Sequence, residues 1–422
     1  MAYIFALIVG AALAWIALCR LWARRYVEPA RVLRWIAMAA LVAVLVGCGG
    51  TPAQTGASAT PTQSGASQAS TTTTATPSST NSGVSITTAP KNGDWTTYHN
   101  DPARTGFLAN VADPHRLSQA WNVSLDGAVY GQPLVVNDHI IVATEGDTIY
   151  SLDPNSGKGL WQTNVGKPVP LSSLPCGNID PLGITGTPAY DPATNLVFAI
   201  AEITTGAGPA HIMVGVDANT GQVKLRRSVD LPGMEVAAHQ QRGSAIVYQG
   251  RVYFTYGGLD GDCANYLGRV VAVPTTGQGQ ILSYTVPSTR EAGIWAPPGP
   301  VIDASGNIYV SVGNGEVTQG NWDHSDSVLR FSPTLQLQDG FAPTTWGQDN
   351  AADADLGSLS PVLLPNNLIF IVGKSGRGYL LHANALGGVG GQAQELQVCP
   401  SYGGGATNGS QIFLPCTNGV RE

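Results

Sequence analysis

The sequence predicts an all-β domain, a β-propeller of four-stranded blades, over residues 94–422. Three observations predict it. Glycine and proline are abundant, 52 and 28 in 422 residues against 4 methionines, which favours short strands and tight turns over long helices. A short extended unit recurs along the chain at intervals of about 45 to 61 residues. Each copy is followed by a β-branched or aromatic run without helical spacing.

Composition bounds the function classes. A hydrophobic content of 43% supplies a large core, and a charged content of 12% suits a loop-rich extracytoplasmic protein. The net charge of -7 leaves no basic stripe to neutralise phosphates, so nucleic acid is excluded as a partner. Arg20, Arg24, Arg25, Arg31 and Arg34 do cluster, but they flank apolar segments, which is a membrane-topology pattern.

Residues 1–48 read as a membrane segment plus a lipoprotein-type signal region. Ala2 to Cys19 is an apolar run of about 18 residues, near the length that spans a bilayer. A second run, Trp35 to Val46, leads into Leu45-Val46-Gly47-Cys48. That pattern resembles a bacterial lipobox, in which Cys48 would carry the lipid anchor and become the new N-terminus. The other reading is a second transmembrane helix that ends in a cysteine. The polar linker directly after Cys48 favours the lipobox. The first apolar run is either a true helix or lies ahead of a start codon between Val27 and Met38. Both readings put the rest of the chain at the cell membrane, on its extracytoplasmic side. Residues 49–93 are nearly all Thr, Ser, Ala, Gly, Pro and Gln, too polar to offset chain entropy, and read as a disordered tether.

The repeat begins at Gly131-Gln132-Pro133-Leu134-Val135-Val136. Its counterparts are Gly186-Thr187-Pro188-Ala189-Tyr190, Gly243-Ser244-Ala245-Ile246-Val247, Pro298-Gly299-Pro300-Val301-Ile302, Leu359-Ser360-Pro361-Val362-Leu363 and a weaker Gly405-Ala406-Thr407. Second strands follow at Ile140, Leu196, Val252, Ile308, Leu368 and Ile412. The third strand runs into a turn, best seen in Ser151-Leu152-Asp153 through Gly157-Lys158 to Trp161. There Asp153 can accept from nearby backbone N–H groups, and Gly157 tolerates the positive φ that closes the hairpin. Trp161 on the fourth strand is expected to pack between blades. Asp217 and Gly221 form the second copy, with Leu225 in the tryptophan's place, and Val273 to Gly277 a worn third.

This motif resembles the tryptophan-docking repeat of the pyrroloquinoline-quinone (PQQ) propeller proteins, and Trp95 to Gly106 resembles that family's lead-in. The resemblance covers Trp95 to the C-terminus. It implies seven or eight blades, whereas about six units are visible, so the chain is expected to be cut short at its C-terminus, leaving an open ring. Trp121-Asn122-Val123-Ser124-Leu125 reads as a lone fourth strand of the kind that joins the last blade. Because the family includes both quinoprotein alcohol dehydrogenases and non-enzymatic BamB-like lipoproteins, the fold does not choose the function.

With strands lettered A to D from the centre, the D–A and B–C connections share one face and are the longer ones: Gly166 to Gly183, Gly257 to Leu267, Asn314 to Asp326 and Trp346 to Gly357. That face is where binding is expected. Cys176 and Cys263 fall on it in adjacent blades, Cys399 lies in the connection entering the sixth unit, and Cys416 follows that unit's second strand. Disulfides Cys176–Cys263 and Cys399–Cys416 are expected, in keeping with an oxidising compartment. Candidate ligand-face residues are Asn178, Asp180, Asn314, Glu316, Asp353, Asp355, Lys374 and Arg377, with Glu202, His239, Arg242, Trp322, Asp326 and Asp349 as further polar groups there.

A quinoprotein dehydrogenase would use such residue types to hold Ca2+ and PQQ and to supply a base. The vicinal cysteine pair and the haem-attachment Cys-x-x-Cys-His found among such enzymes are both missing from the sequence. No metal-ligand spacing appears: His324 and His382 stand alone, Asp349 to Asp355 does not match an EF-hand, and HExxH and Gly-x-Ser-x-Gly are absent. No catalytic residue is assigned. The leading expectation is a membrane-anchored, non-catalytic binding or scaffold protein without a cofactor, taking a protein or small ligand on the long-loop face. The alternative is a PQQ- and Ca2+-dependent dehydrogenase of an alcohol or sugar.

Overall fold

A computed structural model describes residues 93–109, 111 and 115–422. The membrane segment, Cys48 and all of the tether but Gly93 lie outside the described residues. Among those described, no helix is long and apolar enough to cross a membrane.

Six antiparallel sheet units follow one another. The first blade is β1 (Leu134–Val136), β2 (His139–Ala143), β3 (Thr148–Leu152) and β4 (Gly159–Asn164). The second is β5 (Ala189–Asp191), β6 (Leu196–Thr205), β7 (Gly208–Asp217) and β8 (Val223–Ser228). A short β9 (His239–Gln240) precedes the third, β10 (Ile246–Tyr248), β11 (Arg251–Gly258), β12 (Arg269–Pro274) and β13 (Leu282–Thr285), and pairs with β11. The fourth is β14 (Val301–Ile302), β15 (Ile308–Val312), β16 (Ser327–Phe331) and β17 (Leu337–Ala342).

Helix α1 (Trp346–Ala351) leads to the fifth blade, β18 (Val362–Leu364), β19 (Leu368–Val372), β20 (Arg377–His382) and β22 (Gln394–Gln397). The intervening β21 (Gly388–Val389) reaches back to pair in parallel with β17. The sixth unit is β23 (Ala406–Thr407), β24 (Ile412–Cys416) and β25 (Gly419–Arg421).

The core lies between blades. Successive side chains of a strand point to opposite faces, so β6 sends Val197, Ala199 and Ala201 toward the first blade and Phe198 and Ile200 toward the third. Both faces are therefore dry, and the second strands read as unbroken apolar runs, such as Val252 to Phe254. Tyr253 joins Ile308 and Leu329 in the next layer, and Tyr309 and Phe341 join Ile369 and Leu414 beyond it.

The turns explain the repeat. Asp153 Oδ1 accepts from the N–H groups of Asn155 (3.1 Å) and Ser156 (2.8 Å), and Gly157 has φ +70. Asp217 does the same for Asn219 and Thr220, with Gly221 at φ +73. The hydroxyls of Ser156 and Thr220, which donate to the same oxygens, and then these backbone bonds hold both carboxyls below the usual aspartate range. Lys158 closes the first turn through its backbone, its carbonyl accepting from Asp153 N–H at 2.9 Å. Trp161 seats its ring against Gly221 of the second blade and donates Nε1–H to the Ala218 carbonyl at 3.1 Å.

Trp121 seats against Gly157 in the same manner, donating to the Pro154 carbonyl at 2.9 Å. The segment Trp121 to Leu125 thus lies where a fourth strand would, yet it forms no ladder. A strand is defined by a hydrogen-bonded neighbour, and none of the described residues supplies one.

The lead-in crosses the inner strands. Trp95 bridges Val135, and the Thr96 carbonyl accepts from Tyr190 N–H. The Pro102 carbonyl accepts from Ile302 N–H, and that of Thr105 from Thr407 N–H. Arg104, 3% exposed, donates to the carbonyls of Tyr98, Ala245 and Pro300. One buried side chain therefore ties the lead-in to the third and fourth blades.

Candidate functional site on the long-loop face

The connections on the long-loop face bring side chains from the third, fourth and fifth blades together. Arg242 precedes β10, Trp295 lies in the connection into β14, Asn314 follows β15, Asp355 precedes β18, and Lys374 turns β19 into β20. The Arg242 guanidinium carbon stands 4.7 Å from the centre of the Trp295 ring, and Lys374 Nζ 5.5 Å from it. A half-buried indole flanked by two cations is the centre of the site.

Lys374 is held by two carboxylates, at 2.6 Å from Asp353 and 2.5 Å from Asp355, and against the lowering effect of burial they push its pKa up. Asp355 is 1% exposed and also accepts from Asn314 N–H. Gly313 permits this approach: a Cβ there would meet both Asp355 Oδ1 and Trp295 Nε1. Asp326 is sealed beside them. Its Oδ1 accepts from Leu356 N–H at 2.6 Å, its Oδ2 has no partner among the described residues, and burial raises its pKa well above the usual range.

Asn314, Asp353, Asp355 and Lys374 thus meet, and the other candidates do not join them. Arg377 pairs with Asp349 on α1 at 2.8 Å. Glu316 faces Arg290 at 3.7 Å, and Arg290 also grips Glu291. Asp180 accepts from Leu171 N–H at 3.0 Å, a bond internal to its loop. Asn178 lies among Leu174, Ile179, Leu182 and Leu259 at a shallow surface dip. The Asp349 to Asp355 run spends its carboxylates on Arg377 and Lys374. Trp322 donates to the Ser325 carbonyl at 2.9 Å, and burial draws His239 down to about 4, leaving it neutral.

Both expected disulfides are present. Cys176–Cys263 ties the loop entering the second blade to the B–C hairpin of the third, with Cα atoms 6.1 Å apart. Cys399–Cys416 ties the sixth unit's entering loop to the end of β24, rather than to the turn after it, with Cα atoms 5.8 Å apart.

Sequence reasoning missed Trp295 and, apart from Glu202, a second group of buried titratable side chains. Glu145, Asp147, Glu202 and His211 are at most 2% exposed. His211 stands 2.7 Å from Asp230 and 3.3 Å from Glu202, and the two acids lift it to about 9 against the opposing effect of burial. Burial carries Glu145 to about 7 and Asp147 to about 8, helped in each case by neighbouring carboxylates. Glu202↔His211 is a cross-strand pair at the loop end of β6 and β7, a spacing the sequence does carry.

The comparisons with known proteins fit this architecture. Residues 112–317 match the family model described as outer membrane protein assembly factor BamB. That stretch is similar to the BamB-like PQQ-repeat family. A polyvinylalcohol dehydrogenase from a Pseudomonas species is 24% identical to the propeller over 245 residues, 52% of this chain and 35% of the relative. The quinohemoprotein alcohol dehydrogenase of Comamonas testosteroni superposes on the PQQ-repeat propeller with a TM-score of 0.54 at 18% identity, covering 74% of this chain and 50% of that one. A europium-containing methanol dehydrogenase gives 0.55 at 16%, over 73% and 59%. The chain spans about a third of the length of its curated relative, and the structural likeness is one of fold.

Proposed function

We propose that the chain is an extracytoplasmic binding protein, tethered to the cell membrane through Cys48 and residues 49–93, that takes a ligand at the centre of its long-loop face without catalysis. The observation that carries this reading is the pair of cations around Trp295. An aromatic platform with charged flanks, reached by loops on a rigid scaffold, is a recognition surface.

The alternative is a PQQ- and Ca2+-dependent dehydrogenase oxidising an alcohol or sugar. The dehydrogenase names of its relatives and the buried, unpartnered Asp326 Oδ2 favour it. The residues fit that cofactor poorly. A planar quinone stacks on an open ring, whereas the guanidinium of Arg242 lies over Trp295, and Asp355 is engaged by Lys374 and Asn314 N–H. We derive no chemistry through it.

Titrating the purified protein with PQQ and Ca2+, followed by a dye-linked alcohol oxidation assay, separates the readings. The binding reading expects no dye reduction. Saturable cofactor uptake with turnover would overturn it. Release of the Cys48→Ala variant from detergent-phase membranes tests the tether, and retention would assign the anchor to the first apolar run.

A further inference from the structure

We propose that the site around Trp295 binds a ligand through a single carboxylate, with Arg242 as its anchor. This rests on the binding reading and names the ligand class.

Arg242 has no hydrogen bond and no ion pair among the described residues, and its Nε is sealed from solvent without a partner. A cation drawn out of water needs a compensating anion and acceptors for its N–H groups. Arg104 shows how this chain satisfies a buried guanidinium, with backbone carbonyls on several sides. Among the described residues Arg242 has nothing equivalent, and its guanidinium faces the Trp295 ring at 4.7 Å.

Ion pairing sets the ligand's valence. Lys374, the other cation at the ring, is already matched by Asp353 and Asp355. Asp260, Asp262 and Asp355 bear on Arg242 electrostatically, but none lies within ion-pair distance. The site therefore holds one cation without an ion pair, Arg242, and no net positive charge to spare, which suits a single carboxylate and repels a phosphate dianion or a tricarboxylate such as PQQ. A guanidinium fork takes a carboxylate through two parallel N–H bonds, and Trp295 offers a face to whatever apolar group follows it.

The test uses the full chain in detergent with benzoate, acetate, inorganic phosphate and PQQ as probes, read by calorimetry and tryptophan fluorescence. Benzoate is expected to bind saturably and more tightly than acetate. Arg242→Gln should weaken it by about tenfold or more, while Lys224→Gln, which removes an exposed charge on β8, should leave it unchanged. Absence of saturable benzoate binding, equal binding by Arg242→Gln, or tighter binding of phosphate would overturn the proposal. Should Arg242→Gln fail to fold, the rate of phenylglyoxal modification of Arg242 in the native protein decides: slowing by benzoate supports the site, and an unchanged rate overturns it. PQQ uptake with dye reduction would sink the binding reading as well, whereas failed benzoate binding without dye reduction sinks only the carboxylate.

Discussion

The indole of Trp161 rests on Gly221, its Cε3 only 2.7 Å from where a Cβ on that glycine would stand. The glycine is needed twice, for its φ of +73 and for the absence of a side chain under the ring. Gly221→Ala combines left-handed backbone strain with overpacking, each of about 1–3 kcal/mol. We expect about 2–4 kcal/mol of lost stability in urea unfolding. An unchanged midpoint would remove the docking role.

Arg104 carries the lead-in. Arg104→Met keeps much of its volume but leaves the Ala245 and Pro300 carbonyls without its N–H donors. A loss of about 3 kcal/mol or more is expected, together with faster proteolytic cutting near Trp95 to Gly106. Limited proteolysis with mass mapping reads both, and a variant as resistant as the parent would contradict it.

Stability should fall as pH rises from about 6.5 to 9, above the range in which the buried neutral His239 and His99 act in the opposite sense. The folded-state pKa values of Asp147 (about 8) and Glu145 (about 7) lie above their unfolded values, so folding holds protons there. Their contribution is complete at low pH and is lost as pH climbs through those values. His211, raised to about 9, acts in the same direction, its contribution complete below about 6.5 and lost through 9. Asp147→Asn should flatten the profile between about pH 6.5 and 8. Melting temperatures across that range check the sign, and a rise toward pH 8 would refute the assignment.

Reducing the disulfides should cost unequally. Cys176–Cys263 closes 87 residues and Cys399–Cys416 closes 17. Loop-closure entropy assigns about 4.5 and about 3 kcal/mol respectively. Paired serine variants, compared by denaturant midpoint, should keep that order.

The features legible in the sequence are those written within a few residues. Asp153, Ser156 and Gly157 make a turn by themselves, and their recurrence at Asp217, Thr220 and Gly221 gives the period. Strand order then places Cys176 beside Cys263, because adjacent blades share a loop face. The site was legible in part. Asn314, Asp353, Asp355 and Lys374 converge because their connections sit on neighbouring blades. Asn178 and Asp180 share that face but belong to a loop anchored elsewhere. The meeting of Arg242 with Trp295 leaves no local pattern, since each lies in a different connection and their distance depends on how two blades tilt. The Trp121 segment was read as a strand from its side chains, but side chains cannot report whether a backbone partner is there.

The bond from Thr407 N–H to the Thr105 carbonyl also sets a schedule. The lead-in, which emerges ahead of every blade during synthesis, cannot complete its contacts until the residues of the sixth unit have followed, so assembly cannot finish one blade at a time. Contacts this distant in sequence slow folding and lengthen the time that unpaired strand edges stay exposed. A chain built this way stands to gain from an escort that holds its lead-in until the last unit arrives.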